Sequence, residues 1–384
     1  MSVIQPSPTL AITAKAKKMQ SEGIDVISFA AGEPDFNTPA EICEAAIQAI
    51  RNGDTKYAPS AGSIKLREAI SQKFARENGL TYGTDQIIVS CGAKHSIYNA
   101  LQVTINPGDE VILIAPYWMT YAEQIRLAGG IPRVVHTKGS EGFIPDMDEL
   151  KNAVNGRTKA IILNSPSNPT GATFDRATMK NIAALALRHG LWIIADDIYE
   201  RLVYGIEHTN IAGLGQDVYN QTITVSGCSK TYSMTGWRIG YAAGPLNVVK
   251  AMSNLQDQVT SNATSFAQAG AVAAMNLDPA KIEFMRAEFQ SRRDIGVAEL
   301  KKIPGVETPV PNGAFYLFPD FSQYIGAGND IDLANEILME AKVAVIPGGV
   351  FEGPGHLRLS YATSPELIQT GIRRIAEYLA TKSV

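Results

Sequence analysis

Ala160-Ile-Ile-Leu-Asn-Ser-Pro-Ser-Asn-Pro-Thr-Gly171 joins a short apolar run to a turn crowded with Asn, Ser, Pro and Gly. A run that is apolar throughout, without alternation, reads as a strand buried on both faces, as in parallel sheets. The turn residues end it sharply. Four more runs follow the same plan. Ile87-Ile-Val-Ser90 precedes Cys91-Gly-Ala-Lys94, and Val111-Ile-Leu-Ile-Ala115 precedes Pro116-Tyr-Trp118. Trp192-Ile-Ile-Ala195 precedes Asp196-Asp-Ile-Tyr199, and Ile223-Thr-Val225 leads into a stretch holding Lys230. Helical patterns lie between them, such as Glu41–Ile50, where Ile42, Ala46 and Ala49 share one face. The alternation predicts an α/β fold, a mostly parallel central sheet with helices on both faces. Such sheets bind ligands beyond the carboxyl ends of their strands, so the five turns are expected on one rim.

After about residue 290 the style changes. Ser291-Arg-Arg-Asp294, the strand-like Gly313-Ala-Phe-Tyr-Leu-Phe318 and a final amphipathic helix predict a smaller α+β domain. The expected division is a large domain over 45–290 and a small one from 1–44 and 291–384. At 384 residues the chain exceeds one simple core. Hydrophobic content of 45% and charged content of 19% fit a soluble globular enzyme. A net charge of −4 argues against nucleic acid as a partner. No cationic leader with an apolar core opens the sequence, and no apolar run approaches the ~20 residues that span a bilayer. Neither secretion nor membrane insertion is expected. Cys43, Cys91 and Cys228 are odd in number and far apart, which fits a reducing cytoplasm. Cys228 lacks a basic partner in sequence and reads as packing. The histidines show no metal-ligand spacing, so no metal site is expected.

Ser226-Gly-Cys-Ser-Lys-Thr-Tyr-Ser-Met-Thr-Gly-Trp-Arg-Ile-Gly-Tyr241 carries the most chemistry. It sets Lys230 just after a strand, with Arg238 in the same stretch and Ser226 and Ser229 beside the lysine. An amine that condenses with an aldehyde and a guanidinium fork that grips phosphate suit a cofactor that is both. Gly92-Ala93-Lys94 opens a helix, whose free N–H groups and positive end form an anion cradle. The glycine spacing of a Walker loop is absent. Arg358, in His356-Leu-Arg-Leu-Ser-Tyr-Ala362, alternates with apolar residues as an inward-facing strand residue does. A buried arginine awaits an anion.

In this order the motifs resemble those of the class I aminotransferases, fold-type I enzymes that use pyridoxal 5′-phosphate (PLP). Within them the chain looks most like the bacterial aspartate aminotransferase subgroup, which includes aspartate/prephenate aminotransferases. The resemblance runs from Pro6 to the last helix. It implies that Lys230 holds the cofactor and then serves as general base. Asp196 would pair with the pyridine nitrogen, Tyr199 and Asn168 would serve the phenolic oxygen, and Trp118 would stack on the ring. Gly92, Ala93, Lys94, Ser226, Ser229 and Arg238 would surround the phosphate. Tyr57, in Thr55-Lys-Tyr57-Ala-Pro, would reach across a homodimer interface to the neighbour's phosphate. Arg358 and the N–H of Gly32, in Ala30-Ala-Gly-Glu-Pro-Asp35, would take the substrate α-carboxylate, near Trp118 and Asn168. Lys94, with Ser7 and Thr9 of an N-terminal arm, would take a distal carboxylate. Amino acids and 2-oxo acids are the implied partners, aspartate and glutamate first, with prephenate a further acceptor. The sequence departs from many members at Gly227, where they carry serine. Either a phosphate donor is missing there or Ser226 and Ser229 replace it. Eliminating and cyclopropane-forming enzymes of the same scaffold share the cofactor residues. Regulators with an aminotransferase-like domain carry a DNA-binding module ahead of it.

Overall fold

The computed structural model describes residues 8–382, the first three by backbone alone. Strand β1 (Ile27–Ser28) precedes a seven-stranded sheet. That sheet comprises β2 (Ile87–Ser90), β3 (Glu110–Ala115), β4 (Ile131–His136), β5 (Thr158–Asn164), β6 (Trp192–Asp196), β7 (Thr222–Gly227) and β8 (Gly240–Ala243). Its order is β2-β8-β7-β6-β5-β3-β4, and only β8 runs against the rest. The five apolar runs therefore point the same way and end on one rim.

Pleating sends successive side chains to opposite faces, and both faces are covered. On one face Ile88, Val111, Leu113, Ile162, Ile194 and Ile223 pack with Ile97 and Leu101 of the helix Ala93–Thr104. Tyr121 and Ile125 of Thr120–Leu127, and Val249 and Met252 of Leu246–Val259, complete that layer. On the other face Ile112, Ile161, Leu163 and Ile193 meet Ile182 and Ala186 of Arg176–His189. Each such Ile, Val or Leu contributes about 1.5–3 kcal/mol by leaving water. In the helix Ala40–Arg51, Ile42, Ala46 and Ala49 are the buried residues, as their spacing predicts.

Four short strands follow: β9 (Tyr316–Leu317), β10 (Val343–Ala344), β11 (Ile346–Pro347) and β12 (Leu357–Ser360). β12 lies between β11 and β9, antiparallel to both, and β1 pairs in parallel with β10. The final helix, Pro365–Leu379, starts where the Ser364 hydroxyl accepts the N–H of Leu367 at 3.3 Å. It lays Ile368, Ile372, Ile375 and Leu379 into a core shared with Ile27, Phe29, Phe315 and Leu359. The helix Pro279–Leu300 runs unbroken through position 290. No helix of the described residues is long and apolar enough to cross a membrane.

Candidate active site

The rim encloses a cavity of about 430 Å³. Its walls include Gly32, Ala93, Lys94, Trp118, Asn168, Asp196, Tyr199, Ser229, Lys230, Arg238 and Arg358, all expected there from sequence. Asp196 ends β6 and is buried. One carboxylate oxygen accepts the Tyr121 hydroxyl at 2.6 Å and the other the N–H of Ile198 at 3.3 Å. Burial pushes its pKa up to about 6, against the pull of the Tyr121 hydroxyl. The Lys230 ammonium donates to the Gly32 carbonyl at 2.6 Å. Burial lowers its pKa to about 8, opposed by Glu33 and aided by the charges of Arg358 and Arg238. Burial thus shifts this lysine towards its free amine.

Arg358 sits on β12, buried beneath Tyr316 and Phe351, whose ring centres lie 4.7 and 5.1 Å from its guanidinium carbon. Its Nη1 donates to Asn168 Oδ1 at 2.9 Å and its Nη2 to the Ala30 carbonyl at 2.8 Å. Its Nε is buried with no hydrogen-bond partner among the described residues. Asn168 spends its side-chain carbonyl on Arg358, so its amide N–H groups remain as donors at the cavity wall.

The anion cradle is built by close backbone contact. The helix Ala93–Thr104 starts after Gly92, whose φ of 90° is a left-handed value that favours glycine. A Cβ on Gly92 would lie 2.4 Å from Arg238 Nη2, and a Cβ on Gly240 only 2.1 Å from the Ala93 nitrogen. Two glycines thus let the guanidinium and the helix start share one corner with Ser229. Lys94 holds its ammonium 4.7 Å from the centre of the Trp118 ring. Burial, then Arg238, lowers its pKa, and no carboxylate among the described residues pairs with it.

A family model described as "Aminotransferase class I and II" matches residues 24–375. The chain belongs to this aminotransferase family. A protein of Aquifex aeolicus named "Probable aspartate/prephenate aminotransferase" is 49% identical, covering 99% of this chain and 97% of its own. An "Aspartate aminotransferase" of Bacillus sp. (strain YM-2) is 47% identical, covering 99% and 98%. A solved structure, the aspartate aminotransferase of Thermus thermophilus with maleate, superposes with a TM-score of 0.94 at 41% identity. It covers 98% of each chain.

One expectation for this aminotransferase needs correction. Ser226 does not face the cavity; its hydroxyl donates to Glu200 at 3.1 Å, in a buried cluster with Lys73 and Asn78. The pleat of β7 carries it to the far side, which leaves Ser229 as the serine at the cradle. The loss at Gly227 has its own reason: a Cβ there would meet Gly240 Cα and the Ile239 carbonyl at 3.0 Å. Asp197, beside Asp196, accepts from Asn210 Nδ2 at 2.7 Å and faces His208 at 3.5 Å. Tyr57 is 94% exposed and touches no part of its own chain's cavity. Ser7 lies outside the described residues, as does the side chain of Thr9.

Sequence reasoning missed Tyr121, Asn164, Thr235 and Tyr316, which also line the cavity. Asn164 ends β5 in register with Asp196 and donates to its carbonyl at 3.0 Å. A polar residue closing an apolar run was its visible signal. Tyr121 follows Trp118 by three residues, across a turn in which its N–H donates to the Trp118 carbonyl at 3.0 Å. Tyr316 gave no signal inside the aromatic run Phe315-Tyr-Leu-Phe318.

Proposed function

We propose that this aminotransferase uses pyridoxal 5′-phosphate to move the amino group between L-aspartate or L-glutamate and oxaloacetate or 2-oxoglutarate, in ping-pong fashion. Prephenate, a 2-oxo acid with two carboxylates, belongs to the same acceptor class. The reading includes a cytoplasmic homodimer in which Tyr57 completes the neighbour's site. It also treats 45–290 as the large domain and 1–44 with 291–384 as the small one. The observation that carries it is a single cavity lined by both the Lys230 amine, its pKa lowered by burial, and the buried guanidinium of Arg358.

The donor set fits the cofactor. Arg238, Ser229 and the N–H groups at the start of the Ala93–Thr104 helix would hold a phosphate. Asp196 would face the ring nitrogen, Trp118 the ring face, and Tyr199 and Asn168 the phenolic oxygen. When bound, the cofactor supplies an aldehyde for the substrate amine and a ring that withdraws electrons from Cα. Arg358 holds the α-carboxylate with its guanidinium, and the Gly32 N–H supports it. Lys94 turns its ammonium to the distal carboxylate, which gives dicarboxylates their advantage. Lys230 Nζ takes the proton from Cα as general base. Asp196, kept ionised by the Tyr121 hydroxyl, stabilises the electron demand at that moment.

Two variants test this. Lys230→Ala should still take up the cofactor yet form no covalent link to it and lose transamination, read by absorption and by oxaloacetate release. Near-native turnover would refute the base. Lys94→Gln should lose far more activity with aspartate than with an aliphatic or aromatic amino acid. Equal losses would confine Lys94 to the cofactor.

A further inference from the structure

We propose that Tyr316 is a positioning residue: its hydroxyl sharpens the hydrogen bond that Tyr199 gives to the cofactor's phenolic oxygen, while its ring holds Arg358 flat for the substrate carboxylate. The inference rests on the function proposed above. Tyr316 lies on β9 opposite Ser360 of β12, two residues beyond Arg358, so the two side chains share one face. The guanidinium carbon of Arg358 sits 4.7 Å from the Tyr316 ring centre. The Tyr316 and Tyr199 hydroxyls are 2.8 Å apart, and both residues are buried at the cavity wall.

A tyrosine kept only for packing is replaceable by phenylalanine, the residue next to it at Phe315. Burying the extra hydroxyl is unfavourable unless it is bonded, and here its partner is Tyr199. Two hydroxyls share one bond, so one of their two protons stays free. With Tyr316 as donor, the free proton is that of Tyr199, directed at an acceptor in the cavity. A donor placed on the Tyr199 oxygen also polarises it and strengthens its own donation. The strap over this pair is close: a Cβ on Gly32 would lie 3.0 Å from the Tyr316 hydroxyl oxygen. One side chain thereby touches the group that grips the substrate and the group that tunes the cofactor.

The test is a double-mutant cycle read by the pH midpoint of the bound cofactor's absorption change. A stronger Tyr199 bond favours the ionised phenolic oxygen and lowers that midpoint. Tyr316→Phe should therefore raise it, by about half a unit. In a Tyr199→Phe background the same substitution should leave it unmoved. KM for aspartate should stay within about twofold, because the ring remains over Arg358, while kcat falls. An equal shift in both backgrounds, no shift in the parent background, or a large KM rise with an unmoved midpoint would overturn the assignment. If the parent shows no cofactor absorption, or leaves aspartate unconverted, the proposed function itself fails, and this inference fails with it.

Discussion

Burial acts on Asp196 and Lys230 in opposite senses, raising the carboxyl to about 6 and lowering the ammonium to about 8. The acid has a measurable cost. The folded chain holds the Asp196 proton more tightly than the unfolded chain, whose group titrates near 3.8. Stability therefore falls as pH rises from that value through about 6, and the full penalty stands above it. Cofactor-free Asp196→Asn should melt above the parent at pH about 7.5, by at most about 3 kcal/mol. The gap should close below about pH 4, and identical melting at every pH would refute the buried-charge account. The loaded variant should remove the Cα proton far more slowly. At this scale the charged residues were legible through their company: a lone lysine, arginine or aspartate after a strand has bland explanations, and it was the order of the motifs along the chain that singled these out. Tyr121 and Tyr316 were not, because a tyrosine serves a core equally well and its hydroxyl partner is set by tertiary contact.

The helix Ala93–Thr104 owes its placement to β8. Ala93 rests on Gly240, and no side chain fits between them. Gly240→Ala should push the helix start off the strand, costing roughly 1–3 kcal/mol and weakening cofactor affinity through the displaced N–H groups. Unchanged cofactor affinity in a folded variant would show that the cradle does not depend on this contact. Five strands were readable from their apolar runs, while β4 and β8 were not. β4 is an edge strand, half exposed and carrying Pro132, so it lacks the buried-strand signature. β8 is Gly-Tyr-Ala-Ala, too short and small to declare itself. Its reversed direction keeps the loop between β7 and β8 at the rim from end to end, so Lys230 and Arg238 stay together.

At the scale of the molecule, the exposed Tyr57 gives the shared-site proposal a direct consequence. Tyr57→Phe should weaken cofactor binding about five- to tenfold although the side chain touches nothing in its own cavity. Mixing it with Lys230→Ala should restore one native site per hybrid, with Lys230 from one subunit and Tyr57 from the other. Activity that stays at the level of the two separate variants would refute sharing. The pairing of distant segments was the least legible part of the fold, since two-residue strands carry no periodicity. Ile27–Ser28 pairs with Val343–Ala344, and that pairing helps position Ala30 beside Arg358. The seven-stranded sheet, by contrast, is finished at Ala243. During synthesis the amino-terminal portion emerges and organises first. On the function proposed above, a ribosome can thus expose a nearly whole phosphate cradle while the corner meant for an amino acid does not yet exist, and translation arrested before Arg358 would leave a chain with a place for the cofactor and none for its substrate.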